Sequence, residues 1–97
     1  MKTRTAERIV QKYIRNLPEP CIYLTRSHFY QRSCKKWAAE EVLRTIRQRK
    51  DISPIRAVEE FVKKMECYAC RRSESSYIFS IACDIGIDIL DILLAEE

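Results

Sequence analysis

Proline and glycine are placed so that only helices fit most of this chain. The prolines fall at Pro18, Pro20 and Pro54 and the single glycine is Gly86, so residues 21–53 and 55–97 run without a proline. Hairpin turns draw on glycine and on Asn or Asp at positive φ, and such pairs are missing here. The expected fold class is therefore all-α, a small bundle of four main helices forming one domain over residues 1–97. A chain of this length buries about 60 to 65% of its unfolded surface, enough for a core without staples.

Apolar spacing places the helices. Ala6, Ile9, Val10, Tyr13, Ile14 and Leu17 recur at a period near 3.6 and predict a first helix over residues 6–16, with Thr5 as its N-cap. Leu17-Pro18-Glu19-Pro20 ends it, because a proline lacks the amide donor and disfavours αR in its predecessor. Residues 21–24 read as a short apolar connector tucked against the core. Thr25 or Ser27 then caps a second helix to about Lys50, striped by Cys34, Ala38, Ala39, Val42, Leu43 and Ile46, with a break near Ser33 left open. Ser53-Pro54 is the clearest boundary signal, a capping hydroxyl before a proline at the first helical position. The third helix carries Ile55, Ala57, Val58, Phe61, Val62, Met65, Tyr68 and Ala69 inward. Glu40 with Arg44, Glu59 with Lys63 and Glu60 with Lys64 are spaced for i,i+4 pairs outside.

The polar segment of residues 71–76 offers serine caps for a fourth helix over residues 77–95. Ser80, Asp84, Asp88 and Asp91 share one narrow face of it, and nearly everything else is Ile, Leu, Phe, Ala or Cys. That apolar arc exceeds the stripe of about 100° or slightly more that one buried side needs. Its length would span a bilayer, yet each aspartate near the centre costs about 2.5 to 3.5 kcal/mol against about 0.3 to 0.6 gained per large apolar residue. No membrane insertion is expected. The helix is instead the hydrophobic centre or a subunit interface, and Ile78, Ile81, Ile85, Ile87 and Ile92 are its candidate partner-facing residues.

The net charge of +4 conceals an asymmetry: residues 1–50 hold 13 basic and 4 acidic residues, and residues 51–97 hold 5 and 10. Arg44, Arg47, Arg49 and Lys50 close the second helix and form a candidate basic patch, with Trp37 and Tyr30 available for stacking. Helices two and three imitate a helix-turn-helix, but its reading helix would present Glu59 and Glu60 to phosphate. Nucleic-acid binding is thus possible and not favoured. Cations from the basic half are expected beside the aspartate face.

Cys67-Tyr68-Ala69-Cys70 has the C-x-x-C spacing of redox and zinc sites. A reactive pair sits at a helix N-terminus, where the dipole lowers a thiol pKa; this one follows a long helical stretch. A structural zinc needs four ligands, and Cys21, Cys34, Cys83 and His28 supply no second motif. Five cysteines and a charged N-terminal stretch point to reduced thiols and a cytoplasmic location. His28 is the only histidine and no nucleotide loop exists, so no enzyme, catalytic residue, metal or cofactor is expected.

Lys36-Trp37-Ala38-Ala39-Glu40-Glu41, Ser53-Pro54-Ile55 and Tyr77-Ile78-Phe79-Ser80-Ile81-Ala82 resemble stretches of short uncharacterised helical proteins of gut Firmicutes. That resemblance implies a helical fold and no activity.

The expected function is a small cytoplasmic helical protein-interaction module that self-associates, a homodimer or a binder of another protein. The alternative is a nucleic-acid-binding accessory protein using the basic half. If the cysteines are structural, reductant and chelator leave the helical circular dichroism unchanged. Stoichiometric zinc in protein purified without added metal would overturn that expectation.

Overall fold

The computed structural model describes residues 1–19, 25–71 and 76–97, the side chains of Arg71 and Ser76 excepted. These residues form four helices and no strand: α1 (Thr3–Asn16), α2 (Arg26–Gln48), α3 (Pro54–Arg71) and α4 (Ser76–Glu96). The all-α bundle expected from the sequence is the fold observed. The connector at residues 21–24 and the serine caps at residues 73 and 75 lie outside the described residues.

Local chemistry accounts for most helix ends. Thr25 Oγ1 accepts from the His28 amide at 3.4 Å, so Thr25 is the cap of α2 and Ser27 lies inside the first turn. Ser53 Oγ accepts from the Arg56 amide at 3.2 Å, as its place before Pro54 requires. α2 runs without a break through Ser33. α1 departs from expectation by starting at Thr3, with Thr5 inside the helix and no side-chain cap on Lys2. Packing replaces the cap there: the Met1 side chain is buried, and the Ala6 amide already donates to the Lys2 carbonyl at 3.1 Å.

Named contacts fix the topology as up-down-up-down. Glu7 meets Arg47 across α1 and α2, Arg49 meets Glu60 across α2 and α3, and Tyr68 meets Phe79 across α3 and α4. Tyr13 reaches Asp88 while the Met1 ammonium reaches Glu97, so α1 is antiparallel to α4. α2 and α4 also touch, with α1 and α3 on opposite sides of that pair. One core results, built from Ala6 and Val10, the α2 stripe from Cys34 to Ile46, Val58 to Met65, and Ile81, Ala82, Cys83, Ile85, Ile89 and Leu93. The three shorter stripes read from the sequence all face inward.

α3 and α4 form the most extensive helix contact, and Gly86 lies within it. A Cβ built on Gly86 would fall 2.7 Å from Val62 Cγ2 and 3.2 Å from Phe61 Cδ1. Val62 is β-branched and holds essentially one rotamer in a helix, so it cannot swing aside. Glycine here is a packing requirement that spacing along one helix does not reveal.

Two stability measurements check this description. Gly86→Ala at a free helix position would gain about 1 kcal/mol; here overpacking costs about 1 to 3 kcal/mol, so the gain is cancelled and the net loss reaches about 2 kcal/mol. A higher denaturation midpoint would contradict the close approach. Ser53→Ala lowers stability by roughly 0.5 to 2 kcal/mol, and an unchanged midpoint would contradict the cap.

Candidate interaction surface

α4 divides its apolar residues between two sides. Ile81, Ala82, Cys83, Ile85, Ile89 and Leu93 face the core, and Ile78, Phe79 and Leu90 pack at its edge. The opposite side carries Ser80, Asp84, Asp88 and Asp91, all exposed. At 100° per residue Ile87 and Leu94 fall on one flank of this acidic face and Ile92 on the other, and they are 41%, 49% and 38% exposed. The five isoleucines singled out from the sequence are therefore not one surface. Ile81 and Ile85 are consumed by the chain's own core, because α1 and α2 close over that side; Ile78 is half-buried, and Ile87 and Ile92 remain outside. Leu94 belongs with them. Spacing counts it in the apolar arc without singling it out, because an arc apolar nearly all round does not tell its inner side from its outer side.

α4 is thus not wrapped, and the cost of burying its aspartates is avoided by leaving them in solvent. Among the described residues no cation lies within ion-pair distance of Asp84, Asp88 or Asp91. Cations do stand nearby, as the charge asymmetry suggested. Lys35 shares a hollow with Asp84 and Asp88, Lys12 shares one with Glu96, and the Met1 ammonium lies 3.5 Å from Glu97. Tyr13 Oη donates to Asp88 Oδ2 at 3.4 Å. Partial burial, then the Asp88 charge and its hydrogen bond, push the Tyr13 phenol up to about 12.

Tyr13 also lines a groove of about 510 Å³ between α1 and α4, floored by Ile9, Leu17 and Ile92 and edged by Lys12, Asn16 and Glu96. The groove continues past Tyr13 and Leu17 into the hollow that holds Asp84 and Asp88. Its mixture of aliphatic floor and charged rim suits a side chain from another protein surface.

The candidate basic patch does not assemble. Arg49 bonds Asp51 at 3.2 Å and Glu60 at 2.7 Å, Arg47 lies 3.9 Å from Glu7, and Arg44 lies 3.7 Å from Glu41. Carboxylates from α1, α2, α3 and the α2–α3 turn thus occupy three of the four cations, which also point to different sides of α2. Lys50 is exposed in the turn. Two expected pairings change partner as a result: Arg44 meets Glu41 in place of Glu40, and Glu60 meets Arg49 in place of Lys64, whose ammonium sits 5.9 Å over the Tyr68 ring. Arg49 gains from both acids, which hold its guanidinium pKa above the ordinary value, Asp51 contributing most.

Cys67 and Cys70 are exposed near the end of α3, while Cys34 and Cys83 are buried. The Cys83 thiol donates to the Val62 carbonyl at 3.8 Å, and burial pushes its pKa up, away from thiolate chemistry. Among the described residues no three His, Cys, Asp or Glu side chains are gathered to hold a metal. The first half of α2 instead exposes Phe29, Tyr30 and Trp37, and Tyr30 stacks on Tyr77 at 5.8 Å with the rings 16° apart. Among the described residues, no helix is long and apolar enough to cross a membrane.

Comparison with family models, with curated proteins and with solved structures finds no match to this chain. Among the described residues the chain is a four-helix all-α protein, and the outer side of its α4 combines exposed carboxylates with exposed aliphatic side chains.

The Tyr13–Asp88 contact gives a titration to measure. A raised folded pKa means its stabilisation is fully present below about 10 and is lost as pH rises toward about 12, because the folded state then holds a proton that the unfolded state has released. Asp88→Asn removes the charge and brings the Tyr13 phenol down toward 10. Difference titration of phenolate absorbance against Tyr13→Phe checks it, and an unmoved transition would contradict the contact.

Proposed function

We propose that this chain is a small helical protein-interaction module that uses the outer face of α4 and associates with copies of itself. One observation carries the reading: Ile87, Ile92 and Leu94 stand exposed beside aspartates without ion-pair partners among the described residues, on a helix whose inner side is already filled. Isolated exposed apolar residues are ordinary, but here Ile87 and Leu94 on one flank and Ile92 on the other bracket the aspartates within eight residues of one helix, which favours that face for contact. The chain acts without catalysis in this reading, since His28 is its only histidine and is exposed, and among the described residues no hydrogen bond joins a nucleophile to a base. The cytoplasm is its proposed location, on the odd number of cysteines. Nucleic acid is the less favoured partner, because three of the four clustered cations already face carboxylates.

Sedimentation over a range of concentrations tests this. The wild-type chain of 11.5 kDa should show a mass that rises with concentration. Burying an isoleucine contributes about 1.5 to 3 kcal/mol, so Ile87→Glu should weaken association about tenfold or more with helicity unchanged. A wild-type chain that stays monomeric throughout would refute self-association.

A further inference from the structure

We propose that the surface received by the outer face of α4 is the exposed first half of α2 on a second copy, in a head-to-tail contact. This rests on the reading of α4 as the contact face and names what covers it. Residues 76–97 contain Asp84, Asp88, Asp91, Glu96 and Glu97 and no lysine or arginine. A two-fold contact of α4 on α4 would therefore set one carboxylate stripe against another, with no cation on either helix to separate them. Residues 25–39 are the converse, with Arg26, Arg32, Lys35 and Lys36 and no acidic residue.

The two faces also match in their apolar content. Arg26, Phe29, Tyr30, Ser33, Lys36 and Trp37 fall on one side of α2, where all but Ser33 and Lys36 are exposed and those two are half-exposed. This side alternates cations with aromatic rings, as α4 alternates carboxylates with aliphatic side chains. Within its own copy Glu19 accepts from Lys36 at 3.3 Å and from Arg32 through its carbonyl, and Lys35 borders the hollow of Asp84 and Asp88. Arg26 has no carboxylate near it among the described residues, and it heads the aromatic stripe. Opposite charge across the contact steers it and fixes its direction, while the rings and aliphatics supply the buried area. A heterologous contact leaves one free face at each end, so chains add beyond two.

Two double variants separate the faces. Ile87→Ser with Asp91→Lys spoils α4, and Arg26→Glu with Phe29→Ser spoils α2. Each new charge suits its helix dipole, a cation toward the C-terminus and an acid in the first turn, so folding is retained and thermal unfolding verifies it. Each variant alone should sediment as a monomer, with association at least tenfold weaker than wild type. Mixed in equal amounts they should form a pair of about twice 11.5 kDa and nothing larger, because each contributes its one intact face. Raised salt should weaken this pair. If the α2 variant associates as wild type does, α4 meets α4, and the head-to-tail contact is overturned while the role of α4 stands. If neither mixture nor wild type associates, both are overturned.

Discussion

The close approach of α3 and α4 at Gly86 is the constraint on which the rest of this molecule depends. With Gly86 against Val62 and Phe61, α4 lies deep enough to reach α2 and α1 as well, and its buried residues join all three neighbours into one core. A side chain at that point would force α4 outward and loosen each of these contacts together. Interiors are close-packed, so a displacement there cannot be absorbed locally. The same seating determines what remains outside: once Ile81, Ile85, Ile89 and Leu93 are turned inward, the aspartates and Ile87, Ile92 and Leu94 are left on the far side.

Charge is distributed to fit this arrangement. At the end of α2, Arg47 and Arg49 meet acids from neighbouring elements and Arg44 meets Glu41 on α2 itself, which leaves little there for an anionic partner. Among the described residues the aspartates of α4 have near them the Tyr13 phenol on Asp88 and Lys35 at the edge of the hollow that holds Asp84 and Asp88, while Lys12 lies by Glu96. Exposed ion pairs contribute little to stability, commonly 0 to 1 kcal/mol, and their effect here is on which surfaces are left to bind. The result is a chain with a basic, aromatic side on α2 and an acidic, aliphatic side on α4.

Much of the fold was legible in the sequence because its signals are local. Ser53-Pro54, the α2 stripe from Cys34 to Ile46 and the α3 stripe depend on spacing and capping within one helix, and each faces the way that spacing indicates. α1 starts at Thr3, before the residue 6 that spacing indicates, because burial of Met1, a tertiary contact, does the work of a cap. The partition of α4 was illegible for a related reason: periodicity separates polar from apolar, and here both sides hold isoleucine. Ile81 and Ile87 differ only in which neighbours lie above them. Likewise the arginines closing α2 cluster in sequence, while the acids that meet Arg47 and Arg49 come from α1, α3 and the intervening turn, out of reach of any reading along one helix.

One chain completes its own core and leaves the outer side of α4 and the aromatic side of α2 exposed. Helicity followed by circular dichroism on dilution addresses this most directly. If each chain closes its own core, the helical signal per residue stays constant as concentration falls below the range in which copies associate. Loss of helicity on dilution would contradict the account, since α4 would then need a second chain to fold at all.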